Sequence, residues 1–163
     1  MLKYIRNITI KFIFVTIMAV GLILPATTDS NAAGNRIAKK ALSRVGSRYV
    51  SGAAHSMGQI KNKKQRSFDC SGLVNWSYYQ SGYKIGSRTT RSLSSVGHRV
   101  SKRKMKSGDI VLFRCSGSRI SHAGIYVGAG KMVHAPGRGR LVQVVRLSGY
   151  WKTRLARVVR VAK

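Results

Sequence analysis

Hydrophobic spacing in the first half of the chain is helical in two places. The first pattern predicts a helix over residues 35–45 that is closed by Gly46. Its apolar stripe consists of Ile37, Ala41, Leu42 and Val45. The second pattern predicts a helix that begins beside Cys70 and ends near residue 82. Its apolar face consists of Leu73, Val74 and Tyr78.

After residue 106 the spacing becomes that of strands. Residues 107–109 form a turn sequence, and residues 110–113 are apolar on both faces, as in a central strand. Residues 121–127 alternate between an apolar face and a face that carries His122 beside Gly124, which leaves room for another group to approach. Further strands are predicted over residues 132–135, 141–145 and 156–161.

The turn at residues 128–130 decides which side chains share a face. With a three-residue loop, His134 lies opposite Gly124 and diagonal to His122, with the backbones about 7–8 Å apart. A two-residue loop would turn His134 to the other face. The three-residue loop, with Gly130 in its left-handed position, is therefore our hypothesis.

Cys70 falls in the first turn of the second predicted helix, where Asp69 is a suitable N-cap. The partial positive charge and the unpaired N–H groups of a helix start favour thiolate over thiol, as a nucleophile requires. The alternatives are a buried structural cysteine and a disulfide with Cys115. A permanent bridge would consume the nucleophile, so only a reversible one is compatible with catalysis.

Residues 1–32 show the three parts of a secretory signal, namely a basic front, an apolar run over residues 12–24, and small residues at 30–32. An uncleaved anchor is the alternative, but the run is short for a membrane span and no second apolar block supports it. We therefore expect residues 1–32 to be removed and residues 33–163 to form a single exported domain.

Charge is the most unusual property of the predicted mature domain. Its 131 residues carry 28 basic and two acidic side chains, a net charge of +26, and no glutamate. The basic residues are scattered and only weakly interleaved with aromatics, which favours attraction to anionic envelope polymers over sequence-specific nucleic-acid binding. No metal or other cofactor is predicted, because histidines and cysteines lack a zinc-ligand spacing. His55 and His98 are expected to be incidental loop histidines.

Three residues together make a thiol-hydrolase triad. Cys70 would attack a carbonyl carbon, His122 would accept the thiol proton, and His134 would hold the His122 ring in its working tautomer. The backbone N–H of Cys70 and the hydroxyl of Tyr49 are candidate donors to the oxyanion.

These residues lie in blocks that resemble the NlpC-type family of cell-wall cysteine peptidases. The blocks are residues 46–52, Asp69-Cys70-Ser71-Gly72-Leu73-Val74, Arg88-Thr89-Thr90, residues 107–113, 121–128 and 131–136, and Tyr150-Trp151 with the 157–161 tail. Each block is weak alone, but their order covers nearly the whole predicted domain.

The resemblance implies an α+β, papain-like fold, with helices packed on a central antiparallel sheet and the catalytic cysteine at a helix N-terminus. It assigns Cys70, His122 and His134 to catalysis and Tyr49 to the cleft. It also assigns substrate binding to Asp69, Ser71 and Arg88, the first two at the free amine of a peptidoglycan stem peptide.

The implied reaction is cleavage of the bond between γ-linked D-glutamate and the following diamino acid. The chain departs from the family in Ala53, in the basic loop over residues 55–66 and in its charge. The alternative function is a cationic binding protein, for envelope or nucleic acid, on an inactive papain-like scaffold.

Overall fold

The computed structural model describes residues 30–161, so residues 1–29 of the predicted signal lie outside it. Its helices are α1 (Ser30–Leu42), α2 (Met57–Lys61), α3 (Cys70–Tyr79) and α4 (Gly149–Arg154). Its strands are β1 (Arg48–Tyr49), β2 (Ser67–Phe68), β3 (His98–Val100), β4 (Ile110–Phe113), β5 (His122–Gly128), β6 (Lys131–His134), β7 (Gln143–Arg146) and β8 (Leu155–Arg160). Within residues 30–161, no helix is long and apolar enough to cross a membrane.

Six strands form one antiparallel sheet in the order β3-β8-β4-β5-β6-β7, and β1 and β2 form a separate parallel pair. Helices α1 and α3 pack together and against β5. Pairing of β1 with β2 joins Arg48 to Ser67 and Tyr49 to Phe68, and so connects the segments between α1 and α3. The predicted α+β class, with helices on an antiparallel sheet, is confirmed.

Helix α1 differs from its prediction at both ends. It begins at Ser30, among the residues of the predicted cleavage site, and ends at Leu42. Ala33, Ile37 and Ala41 are buried on its inner face, whereas Leu42 and Val45 are exposed. The predicted stripe was therefore wrong at its C-terminal end, because the helix ends at Leu42 and Val45 lies beyond it.

The hairpin between β5 and β6 places His134 on the predicted face of the sheet, but its loop differs from the prediction. Ile125 pairs with Val133, so His134 falls opposite Gly124 and on the face of His122, as predicted. The loop has two residues rather than three, because Gly128 pairs with Lys131. A register shift between Tyr126 and Gly128 supplies the extra residue and restores the facing.

The sheet separates two apolar clusters. The larger lies under the helices and includes Phe68, Leu73 and Trp76. The smaller lies on the other face, where Val111 and Phe113 are buried and Trp151 of α4 packs against them. Helix α4 thus covers the end of the sheet that carries the histidines.

Candidate active site

The start of α3 is fixed by Asp69. Its Oδ1 accepts a hydrogen bond of 2.7 Å from the N–H of Gly72, and this confirms the predicted N-cap. Gly72 is required for packing, because a Cβ there would overlap the carbonyl of Ala53. The cap and this close approach hold Cys70 at the first position of the helix.

Cys70 and His122 line the same open cleft, which has a volume of about 670 Å³. The other lining residues are Tyr49, Cys115, Ser116, Ser121, Pro136, Arg140, Tyr150 and Trp151. The cleft therefore brings together residues from β1, α3, β5 and α4, which are far apart in the sequence.

His122 and His134 form a direct hydrogen bond. The distance from His122 Nε2 to His134 Nδ1 is 2.8 Å. Gly124 permits this approach, since a Cβ there would lie 3.3 Å from the Cβ of His134. On the far side, the amide of Gln143 lies 3.5 Å from His134 Nε2. The side chains of His122, His134 and Gln143 thus contact one another in a row that ends at β7, and we call this row the histidine line.

Trp151 covers both imidazole rings, with centroid distances of 5.2 Å to His122 and 4.8 Å to His134. His122 is 7% exposed and His134 is not exposed. Burial lowers the pKa of His122 to about 4. Burial, with smaller contributions from His122 and Arg140, lowers the pKa of His134 to about 3. Both rings are therefore neutral at pH 7.

The Cys70 thiol is also neutral in this environment, against our expectation from the helix start. Burial raises its pKa, and the charge of Asp69 adds to this effect. The hydroxyl of Thr90, 3.6 Å from Sγ, and the N–H groups of Ala123 and Ser71 oppose it. Desolvation outweighs these donors, so the resting site holds a thiol beside a neutral imidazole.

Asp69 is the centre of a second polar cluster beside Cys70. His55 Nε2 lies 3.0 Å from Asp69 Oδ1 and 3.1 Å from Oδ2, and the N–H of Gly52 donates to Oδ2 at 2.9 Å. Ser71 is buried, and its hydroxyl contacts both Asp69 and His55 at 3.2 Å. His55 was expected to be an incidental loop residue, but it contacts Asp69 across 14 positions of the chain.

Tyr49 and Arg88, two further residues singled out in the sequence, lie in different places. Tyr49 lines the cleft, and burial raises the pKa of its hydroxyl. Arg88 does not line it; its Nε donates to the carbonyl of Ile85 at 2.6 Å. Arg140, which the sequence did not single out, is the arginine that lines the cleft.

Both cysteines of the described chain are free, and both line the cleft. Cys115 contacts the hydroxyl of Tyr150, and burial raises its pKa. Between residues 30 and 161, no group of three histidine, cysteine or acidic side chains has a geometry that could hold a metal ion.

Residues 46–160 match the family model described as the NlpC/P60 family. A probable endopeptidase of Mycobacterium tuberculosis is 37% identical over 124 residues, which are 75% of this chain and 29% of the relative. The gamma-DL-glutamyl hydrolase of Bacillus subtilis is 33% identical over 138 residues, which are 83% of this chain and 30% of the relative. The chain thus spans about three tenths of the length of these relatives.

Solved structures give the same fold. The crystal structure of the NlpC/p60 domain of the peptidoglycan hydrolase SagA superposes with a TM-score of 0.59 at 31% identity. The superposition covers 78% of this chain and 97% of that domain. The residues that line the cleft lie within the part of the chain that the family model matches.

Proposed function

Because the chain belongs to the NlpC/P60 family, we propose that it is a cysteine peptidase that hydrolyses an amide bond in peptidoglycan stem peptides. Cys70 is the nucleophile, His122 is the base, and His134 orients the His122 ring. The observation that supports these roles is the His122–His134 hydrogen bond. It occupies Nε2 of His122 and leaves Nδ1 for the thiol that lines the same cleft.

The reaction starts from the neutral pair. Nδ1 of His122 takes the proton from the Cys70 thiol as Sγ attacks the carbonyl carbon. The N–H of Cys70 and the hydroxyl of Tyr49 stabilise the oxyanion that forms. His122 then donates its proton to the leaving amine. A water molecule, deprotonated by His122, hydrolyses the thioester and restores the thiol.

This sequence requires one tautomer of each histidine. His122 Nε2–H donates to Nδ1 of His134, and Nε2–H of His134 donates to the side-chain oxygen of Gln143. The Gln143 amide nitrogen now lies 3.5 Å from His134 Nε2, and a half-turn of the amide would place its oxygen there instead. Because the line ends on an amide, no buried carboxylate is needed to orient the base.

The substrate bond that we propose is the one between γ-linked D-glutamate and the diamino acid. The name of the Bacillus subtilis relative, a gamma-DL-glutamyl hydrolase, supports a γ-glutamyl bond. Asp69 binds the free amine of the stem peptide, and His55 and Ser71 orient its carboxylate. Arg140, rather than Arg88, provides the cleft cation for a substrate carboxylate.

The direct test is mass spectrometry of disaccharide-tetrapeptide fragments incubated with residues 33–163 under reducing conditions. Cleavage after D-glutamate that is lost in Cys70→Ala would establish both the reaction and the bond. Cleavage at a neighbouring bond would correct the bond alone. No cysteine-dependent cleavage with several wall chemistries would reject the hydrolase and favour a binding protein on a papain-like scaffold.

We also propose that the enzyme acts outside the cytoplasm, after removal of residues 1–32. The excess of positive charge would then hold it to anionic envelope polymers. N-terminal sequencing of the protein recovered from the culture medium or envelope should give Ala33 as the first residue. An intact N-terminus in that material would contradict cleavage.

A further inference from the structure

A pocket separate from the cleft lies where α1 ends and β1 begins. Arg44, Arg48 and Arg66 line it, together with residues 43 and 45–47, and its volume is about 330 Å³. We call it the arginine pocket. Pairing of β1 with β2 brings two of its members together, since the N–H of Arg48 donates to the carbonyl of Arg66 at 3.2 Å.

Arg44 is held in place by neutral groups. Its guanidinium carbon lies 4.6 Å from the centroid of the buried Trp76 ring. Its Nη1 donates to the carbonyl of Gln65, and its Nε donates to Ser43 Oγ, both at 3.2 Å. Burial lowers the pKa of Arg44, and repulsion from Arg66 lowers it further. The guanidinium is therefore preorganised and close to a second positive charge.

No carboxylate in residues 30–161 neutralises this pocket. Asp69 pairs with His55, and Asp109 pairs with Arg160. Three arginines thus line one concave surface without a carboxylate beside them. Guanidinium groups are forked donors that suit the oxygens of a phosphate group. An anion that binds there would remove the repulsion between Arg44 and Arg66.

A second concave surface continues from the arginine pocket along α1. It shares Ser43 and Arg44 with the pocket and adds Arg36, Lys39 and Lys40. The positive charge thus extends beyond the space that a single phosphate would occupy. A linear polymer with regularly spaced phosphates would use both surfaces.

We propose that the arginine pocket and the adjoining surface of α1 form a binding site for a phosphodiester-linked polymer of the bacterial envelope. The site is distinct from the catalytic cleft but adjacent to it, because Arg48 lines the pocket and the next residue, Tyr49, lines the cleft. A polymer bound there would hold the cleft against nearby peptidoglycan. This role goes beyond the proposed hydrolysis and does not require it.

A polyol-phosphate polymer fits the pocket better than a nucleic acid does. Proteins that bind single-stranded nucleic acids combine basic grooves with exposed aromatic rings on which bases stack. No aromatic side chain lines either surface, and Trp76 is buried beneath Arg44. The site therefore offers contacts to phosphate but no platform for bases.

The test measures binding of fluorescein-labelled poly(glycerol phosphate) to residues 33–163 by fluorescence anisotropy. The variant is Arg48→Gln/Arg66→Gln. The matched control is Arg99→Gln/Lys102→Gln, which removes the same charge from another basic concavity, beside β3 and β8. All four side chains are exposed, and thermal melting checks that both variants fold.

We expect the pocket variant to bind about tenfold more weakly and the control to bind within about twofold of the parent. The slope of log K against log salt should fall by about two units in the pocket variant only. Equal losses in the two variants would show that binding follows total charge and would overturn the site. Arg48→Lys/Arg66→Lys keeps the charge but removes the paired N–H donors of the guanidinium groups, and it should give an intermediate loss of affinity.

Two other probes test the chemistry of the ligand. Polyacrylate, a polycarboxylate without amide bonds, should bind more weakly than poly(glycerol phosphate) of equal charge, and equal binding would overturn the preference for phosphate. Oligo(dT) of equal charge should also bind more weakly. Tighter binding of oligo(dT) that is lost in the pocket variant would assign the site to nucleic acid instead. Since every probe lacks a stem peptide, these outcomes are independent of whether the cleft is catalytic.

Discussion

The two ends of the β4–β5 strand pair carry buried polar groups of opposite character. At one end Asp109 is 1% exposed and receives two hydrogen bonds of 2.7 Å from Arg160 and one of 2.8 Å from the N–H of Lys106. At the other end Phe113 pairs with His122, which contacts His134. The first end is a charged pair, and the second is a pair of neutral rings.

This difference indicates what each end contributes. The Asp109 carboxylate is buried and held by two hydrogen bonds from the Arg160 guanidinium, so we interpret the Asp109–Arg160 pair as structural. Neutral imidazoles that are buried without a counterion can accept a proton transiently when a thiol supplies it. The same sheet therefore carries a buried ion pair at one end and, at the other, the pair of neutral imidazoles to which we assign the proposed proton transfer.

The largest expected effect is on stability, at the Asp109 end. Asp109→Asn leaves the buried part of Arg160 without its anion, and we expect the free energy of unfolding to fall by about 3–5 kcal/mol. Urea denaturation at pH 7 measures the change. The turnover number of the folded fraction should stay within about twofold of the parent. A loss of stability below about 1 kcal/mol would contradict a structural clamp.

The next effect is on activity, at the histidine end. His134→Ala removes the acceptor that orients His122, and we expect kcat to fall about 100-fold with little change in KM. His134→Gln retains an acceptor and should lose less. The measurement is steady-state hydrolysis of a soluble stem peptide. Equal losses in the two variants would show that His134 acts by packing under Trp151 alone.

Acid should destabilise the histidine end. Burial lowers the folded-state pKa values of His122 and His134 below the usual value of 6.5, so the unfolded chain binds more protons below that pH. The stabilisation is complete well above pH 6.5 and is lost as the pH falls toward about 4 for His122 and about 3 for His134. From pH 7 to pH 5 we expect a loss of about 1–2 kcal/mol per histidine.

Urea denaturation at pH 7, 6 and 5 measures this loss. His134→Gln keeps only the contribution of His122, so the slope of its stability against pH should be about half that of the parent. Arg99→Gln/Lys102→Gln is the control, since it lies outside the cleft and keeps both buried histidines, so its slope should match that of the parent. Identical slopes for parent and His134→Gln would contradict a pKa lowered by burial.

Sequence patterns were sufficient where a property is local. The Asp69 cap, the strand over residues 110–113 and the facing of His134 follow from spacing and turn chemistry within short segments. The register shift was not predictable from the sequence. A three-residue loop, and a two-residue loop with a register shift beside it, both place His134 on the face of His122. These features account for the start of α3 and for the histidine pair.

Contacts between distant segments could not be predicted from patterns. His55 reaches Asp69 across 14 positions, and Arg140 enters the cleft from a loop. The pKa of Cys70 is raised because several elements bury the thiol, and the position of Cys70 at a helix start does not reveal that burial. Gln143 pairs with His134 across the β6–β7 ladder. The sequence does not predict this pairing, because the loop between the two strands leaves their register open.

The smallest expected effect is at Gln143, the last member of the histidine line. Gln143→Leu removes the partner of His134 Nε2, and we expect kcat to fall about threefold to tenfold because the required tautomer is then favoured less. Gln143→Glu should restore kcat at pH 7 and shift the acid limb of the kcat profile to higher pH, since a carboxylate stabilises the protonated rings. A pH profile of kcat for the parent and both variants separates this role from packing. If Gln143→Glu is as slow as Gln143→Leu with an unshifted acid limb, the line of hydrogen bonds ends at His134, and the histidine end of the sheet consists of the two imidazoles alone.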